Sequence, residues 1–491
     1  MNKPIRNLAI ASLVMFMALL LNINYVQFVE ADSLNAKNGN KRVINEEFSR
    51  DRGAILVDGK PVAESVKSKD EYKFQRKYPE GGLYAPLTGY FSYIYGRGGL
   101  ENSQNRVLSG SDDRLFVNRV VDLVSNKQPK GGSVEMTIDP LAQKTAADGL
   151  EALGKGTKGA VAAINPKTGA ILAMVNQPTY DPNRLASHDF AEVQKSYEEL
   201  TADEDQPMIN RSTQQTLPPG STFKLVTAAA ALENGVVDDL DDQVKAGARL
   251  SFGGGITYTL PNENGGNCGG DKITFERALN VSCNTAFGGL ALKIGQDDLA
   301  AQAAKFGFGT DPLTGLAMNP SRFTSGETPL EQPQLAQSGI GQFEVAATPL
   351  QMAMVAGGIA NDGNVMKPYI VDTVRAPNLR VLDKTQPERL SEAVSSGTAR
   401  KLQDMMVSTV TQGTATSAQI PGIEVGAKTG TAQSTADRPP YAWFVSYAKD
   451  GDDEVAVAVL VESSDTARDE IAGGRLAGPI AKSVMEAVLG K

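Results

Sequence analysis

A serine and a lysine one helical turn apart offer the first candidate chemistry in the sequence. In LPPGSTFKLVTAAAAL, residues 217–232, the Pro-Pro-Gly segment disfavours a helix and the alanine-rich run favours one, which predicts Ser221 at a helix start. Residues three apart share a helix face, so the Ser221 hydroxyl and the Lys224 amine come within reach. Apolar neighbours and the positive end of the helix dipole disfavour the ammonium form of Lys224. A neutral Lys224 can then accept the serine proton.

The S-x-x-K pattern is weak by itself, because an N-cap serine followed by a solvated lysine matches it equally well. A second match, Ser446 and Lys449, lies in AWFVSYAKDGDDEVAVAVLVES, which is typical of two strands around an Asp-Gly turn. Residues three apart on a strand point to opposite faces, so this second pair cannot cooperate.

Two more triplets follow in chain order. Ser282 and Asn284 lie in VSCNTAF, an apolar and partly helical context, where a hydroxyl can relay a proton and an amide can hold a substrate carbonyl. A Lys-Thr-Gly triplet then begins inside the strand predicted for AKTGTAQS, residues 427–434. Each triplet also occurs elsewhere in the chain. The order found here, with S-x-x-K on a helix, S-x-N in the helical middle and K-T-G on a late strand, rarely arises by chance.

The late strand is predicted to hold a substrate. Alternate side chains share a face, so Lys428 and Gly430 point one way while Thr429 and Thr431 point the other. Gly430 has no side chain to block a ligand, so a substrate backbone can lie along this strand. A cation with hydroxyl groups suits a carboxylate.

The composition excludes several classes of protein. A net charge of -9, with no Lys/Arg cluster beyond the N-terminus, argues against a nucleic-acid-binding protein. His188 is the single histidine, and its polar surroundings in LASHDFAEV indicate a solvated side chain. A Ser-His-Asp triad needs an imidazole and a zinc site usually needs several His or Cys ligands. Lysine is therefore the available base, and no metal site is predicted.

The N-terminus carries an apolar segment long enough to span a bilayer. Residues 8–28 contain no charged residue and follow Lys3 and Arg6, which predicts a cytoplasmic N-terminus and an extracytoplasmic remainder. An uncleaved single-pass anchor is favoured over a signal peptide, because QFVEADS is a poor cleavage site.

The order of the predicted elements indicates an α+β fold. Residues 31–150 contain apolar patches such as YAPLTGYFSYIYG that are predicted to form strands, and the composition changes near KQPKGGSVEMTIDPLAQ. Residues 151–491 are predicted to run from strands through a helical middle to late strands, so one central sheet forms from both ends. The predicted parts are a tail and anchor over 1–30, a non-catalytic domain over 31–150 and a catalytic domain over 151–491.

The two cysteines, Cys268 and Cys283, lie in the predicted exported part, where disulfides persist. A disulfide would close a loop of about 15 residues and contribute roughly 3 kcal/mol on the chain-entropy estimate. Two buried free thiols fit the sequence equally well, so both states stay open.

The three motifs, in this order, resemble those of penicillin-recognising serine transferases and hydrolases. SRDRGAIL, TIDPLAQ, NPKTGAILAMVNQPTYDPN and AWFVSYA resemble monofunctional class B penicillin-binding proteins, in particular the actinobacterial penicillin-binding protein A group. The resemblance covers nearly the whole exported chain. It implies a central antiparallel sheet flanked by helices, an all-helical subdomain, and a smaller, mainly β domain for a pedestal or dimerisation. The N-terminal domain is short for the class, which leaves its partners in doubt.

The resemblance implies D,D-transpeptidation of peptidoglycan through a serine acyl-enzyme. Ser221 would attack the carbonyl between two D-alanines and Lys224 would accept its proton. Ser282, near Lys428, would return a proton to the departing D-alanine. The residues expected to contact substrate are Asn284, Lys428, Thr429, Gly430 and Thr431, and the backbone N–H groups of Ser221 and Thr431 would form the oxyanion hole.

The implied partners are stem peptides and their lipid-linked precursor, β-lactams as covalent inhibitors, and a membrane glycosyltransferase with division or elongation proteins. No cofactor is implied. A D,D-carboxypeptidase shares the motifs and stays an alternative, as does a non-enzymatic β-lactam sensor or divisome scaffold. A class A β-lactamase is disfavoured, because the E-x-x-L-N match from Glu276 to Asn280 precedes S-x-N where that class places it afterwards.

Overall fold

The structure, a computed structural model, describes most of the chain. The described residues are 3–30, 33–34, 45, 47–115, 130–263, 265–326, 328–433, 439–466 and 472–491. Residues 35–44 and 116–129, which the sequence assigns to the N-terminal domain, lie outside the described residues.

A five-stranded antiparallel sheet forms the centre of the larger domain. Its strand order is β17-β18-β19-β7-β8, and Val459 of β19 pairs with Val161 of β7 where the early and late parts of the sequence meet. The expectation of one sheet built from both ends is confirmed. The strands are β7 (Lys158–Ile164), β8 (Ile171–Gln177), β17 (Glu424–Ala432), β18 (Tyr441–Asp450) and β19 (Asp453–Ser463).

Helices cover both faces of this sheet, so nearly all of its side chains are buried. One face packs against Pro140–Glu151 and Gly473–Leu489, through residues such as Leu150 and Ile480. The other face packs against Pro349–Ala360, a helix that is buried along its whole length. The core therefore lies in two layers, one on each side of the sheet.

A helical subdomain lies between the early and late strands. Its first long helix, Lys224–Glu233, has its residues from Lys224 to Ala231 buried, which explains the alanine-rich sequence. Short strand pairs interrupt the helices: Gln243–Lys245 with Lys272–Thr274, and Arg249–Ser251 with Thr259–Pro261. The other main helices are Phe275–Asn280, Asn284–Ile294, Gln296–Lys305, Gln332–Ser338 and Ser396–Gln412, with Asn183–Ala186, Phe190–Ala202 and Arg211–Gln214 before them.

The N-terminal sheet borrows two strands from beyond residue 150. Its order is β15-β14-β6-β1-β2-β3, with β14 and β15 contributed by Val371–Arg375 and Val381–Lys384. The earlier strands are β1 (Ile55–Val57), β2 (Lys60–Lys67), β3 (Phe74–Lys77) and β6 (Ser133–Met136). The boundary at 150 stays a prediction, and the sheet ties the two parts of the chain together. A further pair, Asn364–Met366 with Arg389–Glu392, flanks the borrowed strands.

The N-terminal part is less β-rich than the sequence suggested. The expectation of strands in YAPLTGYFSYIYG was wrong for its first half, where Gly81–Thr88 is a helix, followed by the short pair Phe91–Ser92 and Gly96–Arg97. Tyr84 and Leu87 of this helix are buried in the core shared with the catalytic part, so tertiary packing overrides local propensity. Short helices follow at Gly99–Ser103 and Asn105–Leu108.

His188 is not the solvated side chain that the sequence indicated. Its side chain is 11% exposed, its Nδ1 contacts the Asp70 carboxylate, and its ring lies 5.0 Å from that of Tyr72. The acidic partner comes from a distant part of the chain, so the polar local sequence gave no sign of it.

The predicted membrane anchor forms one continuous helical segment. Lys3–Asn24 is α-helical and Tyr25–Val29 continues it as a π-helix. The most apolar 18-residue window of this 27-residue segment has a mean hydropathy of 2.0, and none of that window is buried within the protein. It is a candidate membrane span.

A buried ionic network holds the N-terminal part together. The Glu101 carboxylate accepts hydrogen bonds from Arg52 Nε and Arg76 Nε, both at 2.6 Å, and from the Tyr78 hydroxyl at 3.1 Å. All three charged side chains are at most 2% exposed. The two guanidinium groups hold the pKa of Glu101 below its ordinary value, against the opposing effect of burial.

Glu101→Ala should therefore destabilise the protein by about 3–5 kcal/mol, because it leaves two guanidinium groups buried without their counter-charge. Asp113→Ala, which removes an exposed ion pair with Arg106, should cost less than about 1 kcal/mol. Urea unfolding of the detergent-solubilised chain measures both. Equal losses for the two variants would contradict the role of the buried network.

Candidate active site

Ser221 lies on a short 3-10 helix, Gly220–Phe223, that leads directly into Lys224–Glu233. The turn depends on Gly220, whose φ of 54° lies in the left-handed region that favours glycine. A Cβ at Gly220 would stand 3.0 Å from the carbonyl oxygen of Thr431. The serine turn therefore packs against the late strand. The S-x-x-K and K-T-G motifs, about 200 residues apart in sequence, meet here.

Lys224 is completely buried and bonded to the second motif. Its Nζ lies 2.6 Å from the Ser282 carbonyl oxygen, 2.7 Å from Asn284 Oδ1 and 3.1 Å from Ser282 Oγ. The carbonyl and amide oxygens can only accept hydrogen bonds, whereas the hydroxyl can donate or accept. A neutral amine therefore satisfies this site with two N–H donors and a lone pair that remains available.

Lys428 contacts the same hydroxyl. Its Nζ lies 3.0 Å from Ser282 Oγ and 2.9 Å from the Thr429 carbonyl oxygen, and its side chain is fully buried. Ser282 Oγ thus bridges the amines of Lys224 and Lys428. Ser282 itself has a φ of 58°, a left-handed conformation that is unusual for a residue with a Cβ and indicates backbone strain at this point.

Burial weakens the charged form of both lysines. Desolvation lowers the pKa of Lys224 well below its ordinary value, and the positive charge of Lys428 lowers it further. Desolvation lowers the pKa of Lys428 to about 7. The Glu263 carboxylate opposes this by raising the pKa of both amines. At neutral pH the cluster can therefore hold an unprotonated amine.

Gly430 packs against the serine turn, at the place where the sequence analysis predicted room for a ligand. Its expected role was to leave room for a ligand, but it is buried, and a Cβ there would stand 2.9 Å from the Pro219 carbonyl oxygen and 2.9 Å from Thr222 Cγ2. The glycine allows the serine turn to pack against β17. The predicted alternation holds, since Thr429 and Thr431 are half-buried on the face opposite the buried Lys428.

A pocket of about 320 Å³ opens at the serine. Its catalytic-side lining includes Ser221, Ser282, Thr429 and Thr431. Among the described residues, the lysines and Asn284 are not part of this lining; Asn284 instead accepts from Lys224 and donates to the Pro261 carbonyl oxygen at 3.3 Å. The predicted cations thus lie beneath the pocket floor, and the hydroxyls face the pocket.

The opposite wall is a loop tied to the second motif by a disulfide. The structure joins Cys268 to Cys283, whose sequence separation is 15, and both line the pocket. Asn262 anchors the start of the loop, because its side-chain amide donates to the carbonyl oxygens of Gly247 and Gly266 at 3.1 and 2.9 Å. The wall is therefore held at two points beside the serine.

Sequence reasoning missed several residues at this site. Thr414 lines the pocket, and its Oγ1 lies 2.7 Å from Thr429 Oγ1, which orients that hydroxyl. Glu263 and Arg277 also line the pocket. No sequence motif marks Thr414, Glu263 or Arg277 as pocket residues, because only the fold brings their segments to the serine. In the part of the chain that the structure describes, no cluster of His, Cys, Asp or Glu could hold a metal ion.

Family comparisons agree with this geometry. Residues 159–486 match the penicillin binding protein transpeptidase domain, and residues 52–134 match the penicillin binding protein A dimerisation domain. The chain belongs to the penicillin-binding protein transpeptidase family.

Relatives of known name and structure share nearly the full length. The chain is 41% identical to the peptidoglycan D,D-transpeptidase PbpA of Mycolicibacterium smegmatis, over 100% of this chain and 99% of the relative. It is 38% identical to PbpA of Mycobacterium tuberculosis over the same shares. The ceftriaxone acyl-enzyme of M. tuberculosis penicillin-binding protein A superposes with a TM-score of 0.85 at 38% identity, covering 91% of this chain and all of the other. Its penicillin G acyl-enzyme superposes with a TM-score of 0.82 at 38% identity, covering 90% of this chain and all of the other.

The disulfide leads to a direct test. Denatured without reductant, the full chain should show no thiol that reacts with Ellman's reagent, and two should appear after reduction, because Cys268 and Cys283 are the only cysteines. Cys268→Ser is the control and should show one thiol in both conditions. Two reactive thiols in the unreduced wild type would contradict the pairing.

Proposed function

We propose that this protein is a peptidoglycan D,D-transpeptidase that cross-links stem peptides through an acyl-enzyme on Ser221 and is acylated by β-lactams. The observation that carries the proposal is the Ser282 hydroxyl held 3.1 Å from Lys224 Nζ and 3.0 Å from Lys428 Nζ, at the pocket that Ser221 and Ser282 both line. Such a cluster can take a proton from a nucleophile and return one to a leaving group. The names of the full-length relatives support the same reaction.

In the first half-reaction, the Ser221 hydroxyl transfers its proton to the neutral amine of Lys224 as Oγ forms a bond with the donor carbonyl carbon. The resulting tetrahedral intermediate collapses when the bond from that carbon to the leaving nitrogen breaks. Ser282 donates its proton to this nitrogen and is reprotonated from the lysine cluster. The free D-alanine departs and an ester remains on Ser221.

In the second half-reaction, an amine of a neighbouring stem attacks the ester carbonyl carbon. Its extra proton passes to Lys224, and the bond from that carbon to Ser221 Oγ breaks as the oxygen regains a proton. The enzyme is restored and a new peptide bond is formed. A β-lactam follows the first half-reaction alone, because its leaving nitrogen stays tethered to the acyl group.

The remaining groups have supporting roles. The backbone N–H groups of Ser221 and Thr431 stabilise the oxyanion, a contribution of about 3–4 kcal/mol per donor in hydrolases of this kind. The Thr429 and Thr431 hydroxyls, which face the pocket, bind the terminal carboxylate, and Thr414 orients Thr429. Lys428 adds positive charge beneath them. Asn284 positions Lys224 through the 2.7 Å contact.

The other parts of the chain position the catalytic domain. We assign residues 1–30 to a cytoplasmic tail and a single-pass anchor, residues 31–150 to a pedestal or dimerisation domain, and residues 151–491 to catalysis outside the membrane. Residues 3–29, which form the apolar helix, support the anchor. The N-terminal domain is the docking surface for a membrane glycosyltransferase and division or elongation proteins, and the lipid-linked precursor is a further partner.

Intact-protein mass spectrometry after incubation with penicillin G tests the reaction. The wild type should gain a persistent adduct of one penicillin, and Ser221→Ala should gain none, because the substitution removes the proposed nucleophile. The matched control is Ser446→Ala, which changes the second S-x-x-K match, on β18. This variant should still be acylated. Rapid loss of the wild-type adduct would indicate a lactamase, and no adduct would contradict the proposal.

The pH dependence of acylation tests the role of the lysines. The acylation rate should rise with pH as Lys224 loses its proton. Glu263 raises the pKa of Lys224 and Lys428, so Glu263→Gln should lower both values and move the rising limb to lower pH. Glu276→Gln, which removes a charge outside the pocket lining, should leave the limb in place. Stopped-flow acylation by penicillin between about pH 5 and 9 measures this shift, and a shift to higher pH would contradict the assignment.

A further inference from the structure

The wall opposite the catalytic strand carries two charges that bind no part of the donor peptide in the proposed acylation steps. Among the described residues that line the pocket, Glu263 is the one acid and Arg277 the one base. Glu263 follows the strand Thr259–Pro261, and Arg277 lies on the helix Phe275–Asn280 that leads to Ser282. Both side chains are exposed to the pocket mouth.

Neither charge forms a close ion pair within the described part of the chain. The Glu263 carboxylate and the Arg277 guanidinium form no ion pair there, with each other or with another residue. Two opposite, unpaired charges on one wall of a catalytic pocket suit a ligand that carries both signs.

The position of this wall is fixed by covalent and hydrogen-bond ties. The disulfide holds Cys268 beside Ser282, and Asn262, the neighbour of Glu263, is bonded to Gly247 and Gly266. The Glu263 charge is close enough to act on both Lys224 and Lys428. Because Glu263 and Ser221 line the same pocket, a cation bound by Glu263 is held near the ester that forms on Ser221.

We infer that Glu263 and Arg277 form the acceptor subsite, in which Glu263 binds the incoming amine and Arg277 binds a carboxylate next to that amine. The inference rests on the proposed function, because only a transpeptidase requires an amine acceptor. The ligand class is an amino-acid centre that carries a free amine and a carboxylate on the same carbon.

The chemistry of the second half-reaction favours this arrangement. A primary amine is protonated in solution near neutral pH, so a carboxylate concentrates it at the pocket mouth. The donor chain lies along β17 with its carboxylate at Thr429 and Thr431, which leaves the disulfide-bonded wall as the face from which a second substrate reaches the ester. Arg277 can bind the acceptor carboxylate through two parallel N–H groups, which also orients the amine.

The test measures how the acyl-enzyme partitions between an amine and water. The detergent-solubilised full chain is acylated with an N-benzoyl-D-alanyl thioester and offered D-alanine or D-alaninamide, which has the amine but no carboxylate. Mass spectrometry of the products gives the ratio of aminolysis to hydrolysis. This ratio is set after acylation, so it does not depend on how fast the serine reacts. Measurements at about pH 7.5 keep most of each acceptor amine protonated, as an ion pair with Glu263 requires, and leave the lysine cluster mostly unprotonated.

Wild type should prefer D-alanine over D-alaninamide. Glu263→Gln should lower the aminolysis ratio about fivefold for both acceptors, the order expected for loss of one exposed ion pair. Arg277→Gln should lower it about fivefold for D-alanine alone and so remove the preference. Glu276→Gln and Lys272→Gln, exchanges of nearby charges outside the pocket lining, should match wild type.

Three outcomes would overturn the subsite. Unchanged ratios in both pocket variants, with wild type forming aminolysis products, would reject the subsite and leave the proposed function intact. An equal loss for both acceptors in Arg277→Gln would reject the carboxylate role. Hydrolysis alone in wild type, with either acceptor, would identify a carboxypeptidase, so the transpeptidase proposal would fail together with the subsite.

Discussion

The site depends on the burial of two amines around one hydroxyl. Lys224 and Lys428 have no exposed surface, and both contact Ser282 Oγ. Burying a charge away from water is costly, so the pKa of each amine is lowered, and a protonated Lys428 lowers the pKa of Lys224 further. The same two side chains would be ordinary ammonium groups on an open surface. Exclusion of water is therefore what converts them into groups that exchange protons near neutral pH.

Keeping water out requires three segments to approach closely. The serine turn packs on β17 because both Gly220 and Gly430 lack a Cβ, and the second motif reaches the amines with Ser282 in a left-handed conformation. Such strain persists only where surrounding structure enforces it. The enforcement comes from the disulfide at Cys283 and from the buried helix that begins at Lys224. The disulfide and the buried helix thus stabilise the surroundings of the site, which explains why a polar cluster can lie in the core.

The N-terminal part is joined to the catalytic part by shared structure. Strands from residues 371–384 complete its sheet, and its helix Gly81–Thr88 is buried in the same core as the catalytic helices. The Arg52–Glu101–Arg76 network adds a rigid, fully buried centre. The N-terminal part and the catalytic part are therefore packed together through a shared sheet and a shared core.

The sequence alone determined the broad plan of the protein. Hydrophobic periodicity, turn residues and motif order identified the central sheet, the helical middle and the Ser221–Lys224 helix start, because these depend on residues close together in the chain. Tertiary structure alone decided which polar groups meet. Glu263, Arg277 and Thr414 reach the pocket, His188 contacts Asp70, and Gly430 packs against Pro219 through contacts between distant segments. Local sequence carries no signal for such contacts, since they arise only when separate elements pack into one core.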